Sequence, residues 1–335
     1  MTEFAANILR GINSVLGNYG WSIMVFTLMI RILLFPFDYK SRVSMRKTAK
    51  LQPKMEELRR KYSKDQAKLN QKMSDLYKQE KVSPMSGCLP LLLSYPILIW
   101  MFAAMRAISN EAVVQQVIAV LQNPNELPVF EGWLWVRNLW MPDSPFSSSL
   151  VDFNTLRTVT EDVWKRLITP EVLATLPAEL ELTLESFTKD NLQATLTAIW
   201  GVLEQTPVYV EHGGAVPGWT IPILITNISL MKEWNGLFLL PILSALTQLV
   251  MSNLTPAAPT APDGAQGPGA GTGKFMKYFF PIFSLWICSS YNAGFALYWV
   301  TANLIAMATT FLINKHLDRK EAAGGGTIAA EGSIK

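Results

Sequence analysis

The sequence predicts an all-α membrane protein: five transmembrane helices with the N-terminus outside, a cytoplasmic helical hairpin and an extracytoplasmic helical insertion. Three observations carry this. The 335 residues are 50% hydrophobic and only 16% charged, against about 25% charged in soluble domains. Five apolar stretches reach or approach the roughly 20 residues that cross a hydrocarbon core. The loops between them divide sharply by charge: residues 38–85 carry fourteen Lys and Arg against six Asp and Glu, and residues 109–235 carry six against fifteen. Basic loops stay inside, so the first loop is cytoplasmic and the second lies outside. The net charge of +3 conceals that division.

Residues 1–17 are expected to form an amphipathic helix lying in the membrane interface, with Phe4, Ile8, Ile12, Val15 and Leu16 along one face. Lacking a basic start and carrying Glu3, they are a poor secretory signal. The first two core spans, 19–37 and 86–108, fall in a segment covering 18–122. Between them, residues 40–82 repeat apolar positions at helical spacing: Met55, Leu58 and Tyr62, then Leu69, Met73 and Leu76. The intervening "SKDQ" fits a capping box with Ser63 as cap and Gln66 reaching back. Two helices with narrow apolar stripes are expected to pair antiparallel, the first bent by Pro53 and the second stopped by Pro84. The basic charge of this hairpin leaves two readings open. It enforces topology, or it docks anionic headgroups, ribosomal RNA or a nascent-chain targeting factor.

Residues 123–235 are too long for a connector and read as a helical, acidic cap. Trp133, Trp135 and Trp140 are expected near the membrane surface, and "EHGGAVPGW" is expected as a loop. The last three spans, 236–254, 275–290 and 294–314, occupy residues 236–316; Lys274 and Lys277 can snorkel beside the fourth, and "SYNAGF" turns the last two into a hairpin. Residues 317–335 are expected as a disordered cytoplasmic tail. Prolines inside the spans (Pro36, Pro90, Pro96, Pro241, Pro281) free backbone carbonyls. They mark either ordinary kinks or helices packed loosely enough to admit water.

Catalytic groups are missing at membrane depth. The two histidines, His212 and His316, lie outside the spans, and no GxSxG, HExxH or P-loop motif occurs. The spans contain no Asp or Glu, which argues against an acid/base site and a carboxylate-coupled pump. Cys88 and Cys288 read as small buried hydrophobes. An enzyme, a metal and a cofactor are therefore not expected. What remains is Arg31, the one charge in "VFTLMIRILLFPF" at 25–37. It sits six residues before Phe37, about 9 Å along the helix. A cation at mid-span costs about 2.5–3.5 kcal/mol on insertion scales. It either snorkels, past the crowding of Pro36 and Phe37, or faces a wet cavity open to the cytoplasm. Uncharged polar candidates in the spans are Thr27, Ser94, Tyr95, Thr247, Gln248, Ser252, Tyr298, Trp299 and Asn303.

Four stretches, "NYGWSIMVFTLMIRILLFPF", "LQPKMEELRRKY", "SPMSGCLPLLLSYPILIWMF" and "FPIFSLWICSSYNAGFALYWVTANL", together resemble the YidC/Oxa family of membrane protein insertases, in its five-span, Gram-positive-type form. The resemblance covers roughly residues 18–122 and 236–316. It implies a protein of the bacterial plasma membrane that inserts and helps fold nascent membrane proteins, alone or beside the Sec translocon, without a nucleotide. Five core helices would enclose a hydrophilic groove open to the cytoplasm and lipid. The family's groove arginine falls on Arg31, its mobile hairpin on residues 40–82, and its groove tryptophan on Trp299, with Gln248 a looser match. Thr27, Ser94, Tyr95, Thr247, Tyr298 and Asn303 complete the expected substrate-binding groove. Partners implied are nascent membrane proteins, membrane lipid, the Sec translocon, and a ribosome or targeting factor at the hairpin. Two features depart from the pattern. Residues 145–235 are far longer than the usual loop, and the weakly charged tail "KEAAGGGTIAAEGSIK" is no basic ribosome anchor. The competing class, a small-solute transporter or channel, predicts internal repeats, and none is evident between the halves.

Overall fold

A computed structural model of the chain describes residues 2–80, 89–223, 226–254 and 272–323. Twelve α-helices follow in order: α1 (Thr2–Leu16), α2 (Tyr19–Lys61), α3 (Gln66–Gln79), α4 (Leu89–Gln122), α5 (Phe153–Arg157), α6 (Glu161–Leu167), α7 (Pro170–Leu173), α8 (Leu192–Leu203), α9 (Pro207–His212), α10 (Leu239–Leu254), α11 (Thr272–Ser290) and α12 (Ala293–Ala323). Two strands, β1 (Ala215–Ile223) and β2 (Thr226–Met231), stand between α9 and α10. Three helices are long and apolar enough to cross a membrane among the described residues, over Tyr19–Lys61, Pro96–Gln122 and Ala293–Lys320. At 16 residues α10 is shorter than a typical span. Pro84, Cys88 and residues 324–335 lie outside the described residues, as do the side chains of Pro90 and Lys274; residues 317–323, expected as part of a disordered tail, instead continue helix α12.

The chain forms two compact units. The first comprises Met1–Phe26, Ile99–Ser244 and Ser284–Val300; the second comprises Thr27–Leu98, Ala245–Phe283 and Thr301–Lys335.

In the first unit α1 ends at Gly17, whose φ of 68° and bond from its N–H to the Asn13 carbonyl (2.7 Å) are those of a left-handed helix stop. Asn18 then restarts the chain: its Oδ1 accepts from the N–H groups of Gly20 (3.0 Å) and Trp21 (3.3 Å). The face of α1 turned to protein is Ala5, Ala6 and Leu9, while Phe4, Val15 and Leu16 remain exposed. Glu111 of α4 accepts from Arg10 at 2.7 Å and also binds Arg166 of α6, tying three helices at one carboxylate.

The C-terminal part of α4 supplies Val113, Val117 and Leu121 to a core shared with residues 151–203, where Leu156, Leu196 and Ile199 close around Trp164 stacked on Phe187 at 5.3 Å. Residues 133–143 are knitted to neighbouring helix ends. Met141 and Leu139 carbonyls accept from Ala293 and Gly294 at the start of α12, and the fully buried Asp143 accepts from Phe238 and Leu240 at the start of α10. Trp133 and Trp140 are buried here, edge-on to Trp21 and Tyr19. They pack as core residues of this unit.

The all-α expectation needs one correction. Within the insertion, part of the stretch expected as a loop is strand β1, paired antiparallel with β2 in a two-stranded hairpin. Val216, Thr220, Ile221 and Ile223 favour extended backbone. Pro217 and Pro222 are tolerated because each strand of a two-stranded sheet has an unpaired edge.

In the second unit the first span and the first helix of the basic arm are one continuous helix, with Pro36 and Pro53 inside it. The arm pairs antiparallel as expected: Leu51 and Met55 of α2 pack on Met73, Leu76 and Tyr77 of α3. Lys54 meets Glu80 at 2.7 Å. The cap is corrected, however. Asp65, not Ser63, accepts from the Lys68 N–H at 3.0 Å. The turn closes with the Asp65 N–H on the Tyr62 carbonyl, so helix α3 starts two residues later than a Ser63 cap would place it. Arg46 of the arm also pairs with Asp318 and reaches the Asn314 carbonyl (3.4 Å) near the end of α12.

Candidate functional site

A helix advances about 100° per residue, so positions four, seven and eleven apart share a face. Counted from Arg31, this puts Thr27, Asp38 and Arg42 within about 40° of it. The stripe runs about 16 Å from Arg31 to Arg42 at 1.5 Å per residue. Ile32 and Leu33, about 100° and 200° further round, are among the most exposed residues of the helix (64% and 75%). The helix therefore has an apolar side and a narrow polar side. Arg31, Asp38 and Arg42 are half-buried and act electrostatically on one another. Arg31 makes no hydrogen bond or ion pair with the described residues, whereas Thr27, one turn earlier, is buried at 1% exposure.

Thr27, Arg31, Thr247, Gln248 and Asn303 all belong to the second unit. Within it, Asn303 Nδ2 donates to Thr247 Oγ1 at 3.1 Å, joining the last helix to α10. Gln248, next to buried Thr247, is half-buried. Tyr298 and Trp299 belong to the first unit, where the Trp299 ring lies 5.7 Å from Phe295. The Trp299 Nε1 is buried and makes no hydrogen bond among the described residues. Side chains of Ser94 and Tyr95 lie outside the described residues.

Several polar groups were not among the sequence candidates. Asp38 follows the span limit drawn at Phe37, and Arg42 was counted only as arm charge. Their seven- and eleven-residue spacing from Arg31 was the available signal. Ser41 is buried at 3% exposure with its Oγ unbonded among the described residues. Ser244 and Ser284, in the first unit, are fully buried, and Ser244 Oγ donates to the Ser284 carbonyl at 3.1 Å.

An unpaired guanidinium part-way along an apolar helix, continued by an acid and a second base on the same face, can attract and hold polar or acidic peptide groups.

Comparison with known proteins gives a consistent answer. Residues 11–321 match the family described as 60Kd inner membrane protein. The chain is 41% identical over 138 residues to a protein of Campylobacter jejuni named membrane protein insertase YidC, covering 41% of this chain and 23% of that one. It is 39% identical over 107 residues to the protein of that name in Fusobacterium nucleatum, covering 32% and 52%. It is 50% identical over 90 residues to the one in Ruegeria pomeroyi, covering 27% and 15%. The matched region thus spans about half or less of each relative's length.

Proposed function

The chain belongs to the 60Kd inner membrane protein family, the YidC/Oxa insertases, and is a multi-pass bacterial membrane protein; from this premise we propose that it moves polar segments of nascent membrane proteins across part of the bilayer through a hydrophilic groove. The observation that carries the reading is the polar stripe of α2 centred on Arg31.

In this mechanism five spans surround the groove, with the N-terminus outside. α10 and α11 are the third and fourth spans, and the groove opens to the cytoplasm and to lipid. An acidic or polar segment leaves the cytoplasm and passes Arg42 and Asp38 before reaching Arg31. At an effective dielectric constant near 20, a carboxylate about 4 Å from the guanidinium gains about 4 kcal/mol, offset in part by desolvation. Water in the groove lowers the cost of holding Arg31 at that depth and shortens the apolar distance the segment crosses. Gln248, Asn303, Thr247, Thr27, Ser94, Tyr95, Tyr298 and Trp299 line the path. The substrate's apolar span meanwhile enters lipid, driven by burial at about 25 cal/mol per Å². The step needs no nucleotide. The arm of α2 and α3 receives the substrate, or its ribosome or targeting factor, and the Sec translocon is a further partner for larger substrates.

The test is reconstitution in liposomes with a single-span substrate bearing an acidic leader. We expect insertion without nucleotide, a fall of roughly tenfold in Arg31→Ala, the value of about 1.4 kcal/mol, and retention of most activity in Arg31→Lys. Full activity of the alanine form would remove the charge from the mechanism. Solute flux without insertion would point to a channel instead.

A further inference from the structure

A cavity of about 380 Å³ opens in the first unit. Arg106 of α4 and Asp152, which precedes α5, both line it, with the amides of Asn110 and Asn154. Phe102 and Tyr291, edge-on at 4.9 Å, supply an aromatic wall. The size is at the lower end for ligand pockets, about 300–1,000 Å³.

Two features define what would fill it. First, the cavity holds one positive and one negative side chain that do not pair with each other among the described residues. Arg106 is exposed and donates only a long bond, 3.5 Å, to the Thr158 carbonyl. Asp152 uses Oδ1 to cap α5 through the Thr155 N–H at 2.6 Å, and Oδ2 makes no hydrogen bond among the described residues. Separated opposite charges in one cavity match a ligand that carries both signs. Second, with α4, α11 and α12 read as spans, the cavity falls where hydrocarbon gives way to headgroups. Its wall includes Ser290–Asn292, the break between α11 and α12, and lipid-exposed backbone outside a helix is not tolerated in the hydrocarbon. Ile99 and Trp100 are exposed on α4, about 9–10 Å before Arg106 at 1.5 Å per residue, which puts them on the hydrocarbon side of the cavity.

We propose that this cavity binds the headgroup of phosphatidylethanolamine from the outer leaflet: Arg106 takes the phosphodiester, Asp152 takes the ammonium, and Tyr291 and Phe102 flank the ammonium with aromatic faces. The amides of Asn110 and Asn154 complete the polar lining, and the acyl chains run down beside Ile99 and Trp100. Phosphatidylglycerol lacks the ammonium. Phosphatidylcholine has a cation with no N–H to give Asp152. The proposal rests on reading α4, α11 and α12 as spans, and not on the insertion mechanism.

The experiment is native mass spectrometry of the full chain released from mixed micelles holding equal amounts of phosphatidylethanolamine, its N-methylated derivatives, phosphatidylcholine and phosphatidylglycerol. Phosphatidylethanolamine should be retained about tenfold over the other two classes, the size of one charge-assisted hydrogen bond near a surface, and retention should fall with each added methyl group. Arg106→Gln and Asp152→Asn should each abolish the preference. Asparagine is an N-cap as good as aspartate, so the second variant keeps α5. Equal retention of all lipids by the unmodified chain overturns the proposal without recourse to a variant, as does a preference for phosphatidylglycerol or an unchanged preference in both variants. Displacement by soluble glycerophosphoethanolamine at matched concentration would assign the cavity to a soluble ligand and overturn the lipid. Insertion activity measured on the same preparations reports separately on the groove.

Discussion

Tyr209 shows how a single buried group sets a condition on stability. Its hydroxyl donates to the Val151 carbonyl at 2.8 Å, and its ring packs edge-on to Trp200. Burial, and secondarily the Asp152 carboxylate, push its pKa well above the ordinary phenol value. The folded state therefore holds this proton more tightly than the unfolded chain does. The resulting stabilisation is complete below the unfolded pKa of about 10 and is lost as pH rises beyond it. Thermal melting of the insertion followed against pH should fall on the alkaline side, and Tyr209→Phe should flatten that limb. The same variant should cost about 1–3 kcal/mol at neutral pH by orphaning the Val151 carbonyl. A wild-type alkaline limb identical to the variant's would contradict this. At this scale Arg31 was legible because a charge in an apolar run is costly enough to demand a reason. Asp38 was not, because a span limit drawn from hydropathy stops at the first charged residue. Its relation to Arg31 appears only once the helix is seen to run on through Lys61.

Among the elements, the basic arm separates what periodicity carries from what local chemistry decides. The apolar repeat located the pairing of the two arm helices: Met55 of α2 does meet Met73 and Leu76 of α3. It did not locate the cap, because "SKDQ" offers both Ser63 and Asp65 as N-cap residues, and the turn after Tyr62 chooses between them. Asp65→Ala should therefore destabilise the arm by about 1 kcal/mol, read as faster amide hydrogen exchange across α3, while Ser63→Ala should leave exchange unchanged. The reverse order would restore the earlier reading. The β-hairpin was missed for a related reason. Glycine and proline in "GGAVPGW" read as loop punctuation, yet an edge strand has no ladder bond for proline to remove. The tryptophans of 133–140 were expected at the interface by residue type; their partners Trp21 and Tyr19 come from a distant part of the chain and could not be read from spacing.

At the scale of the whole molecule, membrane residence was legible in long helices with few charges. Span count was harder to read, because apolarity does not distinguish a helix facing lipid from one packed on protein. The valines of α4 from Val113 onward belong to the core of the insertion, although hydropathy alone extends that span to Gln122. The proposed topology makes a direct demand. In intact spheroplasts, a cysteine at exposed Gly214 should react with an impermeant maleimide, and one at exposed Lys64 should react only after lysis. Both reacting from the same side would contradict the five-span arrangement.

The central claim is that water reaches the Arg31 position from the cytoplasmic side of the bilayer. It is tested most directly by Arg31→Cys in a chain whose Cys88 and Cys288 are replaced by serine, probed with an impermeant alkylating reagent on inverted and right-side-out vesicles. The account predicts modification in inverted vesicles alone, slowed when a stalled acidic substrate is bound. A thiol that resists the reagent from both sides, or reacts from the outer side, would contradict it.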